Sequence, residues 1–222
     1  MTEEEKQKLS LTATAYRYVF DGIMNGRYRA GQSISPDTLA SNLNMSKTPI
    51  REALLQLETE GLIVRNGRFY NIIYLDENEV IELYEVRAIL EAEASAMAAA
   101  RMTDDIRKEL RETLRIIKKM SSTENPDPIM LADLNGKLHS MIAAASGNRY
   151  IVEYTSNIRL KLKVVRTTLF SSFDRREVEL KEHEKVIEAV LSGNQATARR
   201  SMWEHEMEVL EYLKASVLNK IY

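Results

Sequence analysis

The sequence predicts a mainly α-helical protein in two parts. An N-terminal winged helix-turn-helix spans residues 1–75, and an all-helical bundle of about six helices spans 76–222. Three observations predict this. Gly and Pro number only eight and four in 222 residues, while Leu, Ala, Glu, Lys and Arg abound, which is a helix-forming composition. Apolar residues recur at helical spacing through most of the chain. The exception is a pair of β-rich runs around Asn66 and Gly67, a dipeptide that favours a tight hairpin.

Each element of the first part follows from local signals. "LTATAYRYVFDGIMNG" places Ala15, Tyr18, Val19 and Ile23, with Leu11 ahead, on one apolar face and stops at Asn25-Gly26. "RYRAGQSI" reads as a loop with a short extended piece. In "SPDTLASNLNM", Ser35 caps a short helix and Pro36 takes its first position, where a missing N–H costs nothing. "NMSKTPIREALLQLETEG" opens the next helix: Ile50, Ala53, Leu54 and Leu57 follow at i, i+3, i+4 and i+7. Ser46 is its expected N-cap, and Pro49 then falls in the first turn. After Gly61, "LIVRNGRFYNIIYL" supplies the hairpin. Three short helices and a hairpin describe a winged helix-turn-helix.

From Asp76 onward the pattern changes to long amphipathic helices, expected near 77–101, 103–121, 127–146, 148–171, 175–192 and 194–219. "TENPDP" and two copies of Ser-Gly-Asn mark the breaks.

Composition narrows the classes of function. At 44% hydrophobic and 29% charged, the chain is that of an ordinary globular protein. Absence of cysteine excludes disulfides and thiolate metal sites. The segment "MTEEEKQKLS" is not a signal peptide, and the longest apolar run, "ASAMAAA", falls far short of the ~20 residues of a membrane span. A cytoplasmic protein without a membrane partner is expected. Through Tyr74 there are nine Lys/Arg against eight Asp/Glu, and the remainder has 22 against 25, so neither part is basic overall. Binding to nucleic acid must therefore rest on local placement.

That placement exists. Lys47, Thr48 and Arg51 cluster on the first turns of a helix whose opposite face is apolar. Arg and Lys can reach guanine edges in a major groove, hydroxyls can reach phosphates or bases, and a helix N-terminus favours phosphate. Arg65 and Arg68 flank the hairpin tip, where a wing meets the DNA backbone or minor groove. On charge alone a solvated face in an interaction domain is as good a reading, since Glu52, Glu58 and Glu60 lie nearby.

The stretch "AGQSISPDTLASNLNMSKTPIREALLQLETEGLIVRNGRFYNI" resembles the DNA-binding domain of the GntR family of bacterial transcription regulators. "SKTPIREALLQLETEGL" carries the resemblance closely and without gaps, with Lys47 at a position usually held by Arg. The resemblance implies that Ser46, Lys47, Thr48 and Arg51 contact an operator and that Gly67 lies at the wing. Asp37, in "SPDTLA", departs from the family's usual Arg, which implies one contact fewer and a different preferred operator.

All three histidines, His139, His183 and His205, fall in the helical part. A lone histidine on an apolar face is usually a satisfied core residue. Here Asn135 and His139 share a face at i, i+4, and a helical hairpin about Gly193-Asn194 would bring His183 and His205 level. Three neutral imidazoles and an oxygen suit zinc, nickel or another first-row divalent ion.

"NGKLHSMIAAASGN" and "EHEKVIEAVLSGNQATARRSMWEH" are similar to the effector domain of the family's FadR-type branch, the FCD class. The resemblance implies that His139, His183 and His205 are metal ligands beside a small carboxylate effector. Asn135 stands where the class usually has Asp; a neutral amide weakens binding and favours an empty site in dilute metal. Arg87, in "YEVRAILEAE", matches the class's Arg and is a candidate effector ligand, its plainer reading being an i, i+4 pair with Glu91. Arg166 is a second candidate, with a surface position as its plainer reading.

The function expected is a ligand-responsive, DNA-binding transcription regulator, a repressor acting as a homodimer on double-stranded operator DNA. Coupling between effector and DNA is expected to pass near Tyr74 to Glu79. Two alternatives stand beside it: a metal-free regulator sensing an acyl ligand on the same scaffold, and a three-histidine metal enzyme. Against the enzyme, the sequence shows no carboxylate obviously placed as a general base.

Overall fold

The computed structural model describes residues 3–169 and 175–218. Its elements run α1 (Glu3–Met24), β1 (Ser33–Ile34), α2 (Pro36–Leu43), α3 (Lys47–Thr59), β2 (Ile63–Asn66), β3 (Phe69–Ile72), α4 (Glu77–Arg101), α5 (Asp104–Ser121), α6 (Pro128–Ala145), α7 (Arg149–Leu169), α8 (Arg176–Leu191) and α9 (Gln195–Leu213). A π-helical turn, Lys214–Leu218, continues α9. The expected helix ends at 171 and 219 lie outside the described residues.

The chain divides into two compact units. One is Met1–Asp76 together with Arg159–Ser172, and the other is Glu77–Ile158 with Phe173–Tyr222. The sequence pattern changes near residue 76 as well. The contribution of α7 to the first unit was not visible there.

In the first unit α1 through α3 enclose a core of Ala15, Val19, Ile23, Leu39, Ile50, Leu54 and Leu57, closed by Ile63 and Ile72 from the sheet and by Val164 of α7. Ser35 accepts from Thr38 N at 3.3 Å and Pro36 opens α2, as its sequence predicts. Asn44 closes α2 in the left-handed region at φ 50°. The extended piece before α2 becomes a third strand, giving an antiparallel sheet of order β1-β3-β2.

Two local expectations change. Ser46 occupies the N-cap position of α3, but its hydroxyl makes no capping hydrogen bond. Pro49 within the first turn removes one N–H that would otherwise need a partner. In the hairpin, Asn66 still pairs with Phe69, so the two turn residues are Gly67 and Arg68 rather than Asn66 and Gly67. Gly67 has φ +61° while Arg68 is not in the positive region, which is the type II′ pattern with glycine at the first turn position.

The expected six α-helices, α4 to α9, follow the wing, and all but the second half of α7 belong to the helical unit. The core of that unit is formed by Leu110, Ile117, Leu138, Ile142, Val186, Val190 and Met202. The alanine-rich run of α4 is explained by its packing along α9: Ala88, Ala92, Ala96 and Ala99 are buried, and their small side chains permit close approach.

Both Ser-Gly-Asn repeats build the same joint. The serine hydroxyl donates to a carbonyl three residues back, Ser146 to Ala143 at 2.6 Å and Ser192 to Ala189 at 2.7 Å. Glycine follows in the left-handed region, at φ +67° and +77° for Gly147 and Gly193. Asn194 then caps α9, accepting from Thr197 N at 3.0 Å, and Asn148 accepts from Tyr150 N at 3.0 Å at the start of α7. The second joint sets the α8–α9 hairpin that carries two of the histidines.

Candidate metal centre and nucleic-acid interface

In the winged unit α3 buries Pro49, Ile50, Ala53, Leu54 and Leu57 and leaves Ser46, Lys47, Thr48 and Arg51 exposed at its start. Arg65, Gly67 and Arg68 are exposed at the hairpin tip. Arg65 Nε donates to Gly67 O at 3.3 Å, and the Arg68 guanidinium lies 5.0 Å from the Phe69 ring centre. Asp37 ties these groups together. Its carboxyl is held below the usual range first by a hydrogen bond from Lys47 and further by the charge of Lys47, Arg51 and Arg68. One face of the unit therefore carries three cations around a single carboxylate, and all three belong to the set read from sequence.

In the helical unit the three histidines meet. His139 comes from α6, His183 from α8 and His205 from α9. Their ring centres lie 5.2 Å (139–183), 5.3 Å (139–205) and 4.7 Å (183–205) apart, and all three are buried. The level pairing of His183 and His205 expected from the hairpin is observed. His139 Nε2 and His183 Nε2 are 3.1 Å apart. Two nitrogens bound to one tetrahedral zinc lie about 3.3 Å apart, so this edge is already close to ligand geometry. Burial pushes His183 and His205 well below the ordinary histidine range, and their neighbouring histidines and Arg87 add to it. The two rings are neutral at pH 7, the state a metal ligand requires.

Asn135, one turn before His139, has a buried Oδ1 without a hydrogen-bond partner, and buried His183 Nδ1 is likewise unpartnered. The unmet amide oxygen of Asn135 beside a cluster of imidazoles fits a divalent cation better than it fits a closed apolar core.

Sequence reasoning missed the carboxylates around this cluster. Glu91 Oε2 meets His139 Nδ1, and Glu206 Oε1 lies 3.5 Å from the same nitrogen. Glu182 Oε2 is 2.8 Å from His205 Nδ1. Three carboxylates thus accompany the histidines. They are not free bases, however. Arg87 Nε donates to Glu91 Oε1 at 2.8 Å and its Nη2 lies 2.8 Å from Glu206 Oε1, while Arg175 donates to both oxygens of Glu182. Arg87, expected to meet an effector, lies between Glu91 and Glu206, its side chain 13% exposed. Burial disfavours its charge, but the two carboxylates outweigh that and raise its pKa further. Arg166 lies on α7, and its side chain falls outside the described residues.

A signal for the carboxylates was present. Glu91 falls three residues after Ala88, and Glu206 four after Met202 and four before Leu210, so both lie on buried helix faces. A glutamate there needs a buried partner.

A winged helix-turn-helix joined to a helical unit with an internal polar site defines a DNA-binding transcription regulator. Comparison with known proteins identifies which kind. Residues 11–69 match the gntR family of bacterial regulatory proteins and residues 82–208 match the FCD domain. The chain belongs to the GntR family, in the group that carries an FCD domain. It is 29% identical over 199 residues to the HTH-type transcriptional regulator YdhC of Bacillus subtilis, covering 86% of each chain. It is 25% identical over 198 residues to the HTH-type transcriptional repressor GlaR of Escherichia coli, covering 86% of this chain and 90% of that one. Among solved structures, E. coli McbR/YncC shares the fold with a TM-score of 0.78 at 20% identity, covering 92% of this chain and 97% of that one. YdhC and GlaR are named as a transcriptional regulator and a transcriptional repressor, and this protein is a transcription regulator of their family rather than an enzyme. Among the described residues, no helix is long and apolar enough to cross a membrane.

Proposed function

We propose that the protein is a cytoplasmic repressor that acts as a homodimer and is modulated by a small organic acid bound beside a divalent cation. Ser46, Lys47, Thr48 and Arg51 read the operator from the start of α3, and Arg65, Gly67 and Arg68 contact its backbone or minor groove. Two copies place two recognition helices in successive major grooves, because one winged domain reads too few base pairs for useful specificity. His139, His183 and His205 hold the cation with Asn135, and zinc or nickel suits that donor set.

A bound cation would supply a Lewis-acidic position for the effector's carboxylate. The protein's own side chains shape the rest. Arg87 is held by Glu91 and Glu206 and forms a charged wall of the site, and Arg166 remains a second candidate anion ligand. The observation that carries the reading is the convergence of three buried histidines, their candidate ligand atoms all within 4.8 Å of one another, from three different helices.

Elemental mass spectrometry of the purified protein, without added metal or chelator, tests it. About one equivalent of zinc or nickel per chain, lost in His183→Ala, is the expected result. No metal, even after dialysis against zinc, would overturn the cation and leave the metal-free acyl-sensing alternative.

A further inference from the structure

Two arms of the same construction lead into the histidine cluster. In one, Arg87 Nε donates to Glu91 Oε1 at 2.8 Å, and Glu91 Oε2 meets His139 Nδ1. In the other, Arg175 donates to Glu182 Oε2 at 3.2 Å and to Oε1 at 2.5 Å, and Glu182 Oε2 lies 2.8 Å from His205 Nδ1. Each arm is arginine, then glutamate, then histidine, and each ends on the same ring atom. The arms come from different elements: α4 and α6 for the first, the residue preceding α8 with α8 and α9 for the second.

The chemistry of that contact has a direction. An ionised carboxylate offers acceptors only, so the ring nitrogen facing it must carry the hydrogen. A neutral imidazole has one hydrogen. With Nδ1 protonated, Nε2 of His139 and His205 keeps a bare lone pair, as a metal ligand needs. His183 is built differently. Its Nδ1 is buried without a partner, while its Nε2 is 3.1 Å from His139 Nε2. Since His139 Nε2 is an acceptor, His183 Nε2 is the donor of that contact.

We propose that Glu91 and Glu182 are positioning residues that preset His139 and His205 with Nε2 free for a divalent cation, and that His183 is the one ring whose hydrogen must move from Nε2 to Nδ1 when the cation binds. This rests on the cation reading above. It makes the three histidines unequal. Two are ready before the ion arrives, and the third gives up its hydrogen bond to His139 to become a ligand. Glu206, at 3.5 Å from His139 Nδ1 and 2.8 Å from Arg87, braces the first arm, and on the second arm Glu208 shares a hydrogen bond with Glu182.

Long-range 15N–1H correlation of the imidazoles tests the proposal directly, and three histidines give a spectrum simple enough to assign by single replacement. In metal-free wild type, His139 and His205 should show protonated Nδ1 and bare Nε2, with His183 reversed; zinc should convert His183 alone. This measurement needs no variant, so it survives any folding defect. Zinc affinity by chelator competition supplies the second readout, with Glu182→Gln and Glu91→Gln each expected to weaken binding about 10–100-fold. In Glu182→Gln the His205 signals alone should become a tautomer mixture. His205 carrying its hydrogen on Nε2 in the metal-free protein would overturn the proposal, as would zinc affinity unchanged in both variants. Zinc bound by neither wild type nor variants would overturn the cation reading itself, which is a different outcome.

Discussion

Asp37 Oδ1 lies 2.9 Å from Lys47 Nζ, joining the first turn of α2 to the first residue of α3. Both side chains are mostly exposed, so the pair contributes little to folding. If Lys47 meets DNA as proposed, it must exchange Asp37 for a phosphate or a guanine edge, and a carboxylate remains on that face. A carboxylate repels phosphate but can accept from the N4 amine of cytosine.

Asp37→Asn should therefore tighten binding to unrelated DNA and make the salt dependence steeper, by about one unit of log–log slope if one more phosphate is engaged. It should also flatten the ranking among operator variants. Anisotropy titrations over a panel of duplexes at several salt concentrations would show both. Equal affinities for wild type and variant on every duplex would make Asp37 a bystander.

Leu57 is fully buried at the centre of the winged unit, touching the core that α1, α3 and the sheet share. Leu57→Ala should cost about 2–5 kcal/mol, the usual loss for an aliphatic side chain removed from a closed core. Chemical denaturation followed by circular dichroism would measure it.

Arg87 poses the opposite case, a mostly buried charge with two buried partners. Arg87→Met leaves Glu91 and Glu206 facing each other without a cation and should cost about 3–5 kcal/mol. Adding Glu206→Gln should recover part of that loss. A double-mutant cycle in denaturant gives the coupling, and strictly additive losses would mean the two side chains act independently.

Tyr16 donates to Glu60 Oε2 at 2.7 Å, and burial followed by that hydrogen bond raises its pKa from 10.0. A phenol whose folded pKa is raised contributes stability that is complete below pH ~10 and is lost as pH climbs above it. The ring is only partly buried, so the effect is modest. Tyr16→Phe should narrow the stability gap between about pH 9 and about pH 11 in urea titrations. An unchanged gap would assign the alkaline loss to other tyrosines, such as Tyr28.

How far the sequence speaks depends on the kind of interaction. Helix positions were legible because each leaves a periodic apolar face and a stop: Ile50 to Leu57 ended by Gly61, or Val186 to Val190 ended by Gly193. The histidine cluster was legible because a Gly-Asn joint of fixed length sets the register of α8 against α9. Glu91, Glu182 and Glu206 escaped because an isolated glutamate on a helix is normally solvated; spacing from buried positions hints at Glu91 and Glu206, and packing of α4, α6, α8 and α9 makes all three evident. The turn at Gly67-Arg68 escaped for a smaller reason: strand pairing carried Asn66 into the ladder and moved the turn by one residue. The third strand depended on a partner, β3, more than thirty residues away, which no local pattern reveals.

Val164 of α7 is fully buried in the core of the winged unit, with Leu160 packed beside it, and Gly61 of that unit would place an added Cβ 3.0 Å from Lys161. The DNA-reading module is therefore not a separable cassette ending where its wing ends. A fragment cut after residue 75 would expose an apolar hollow where α7 belonged. Any natural or engineered exchange of DNA-reading heads within this architecture must carry along, or rebuild, a strip of helix encoded some ninety residues downstream.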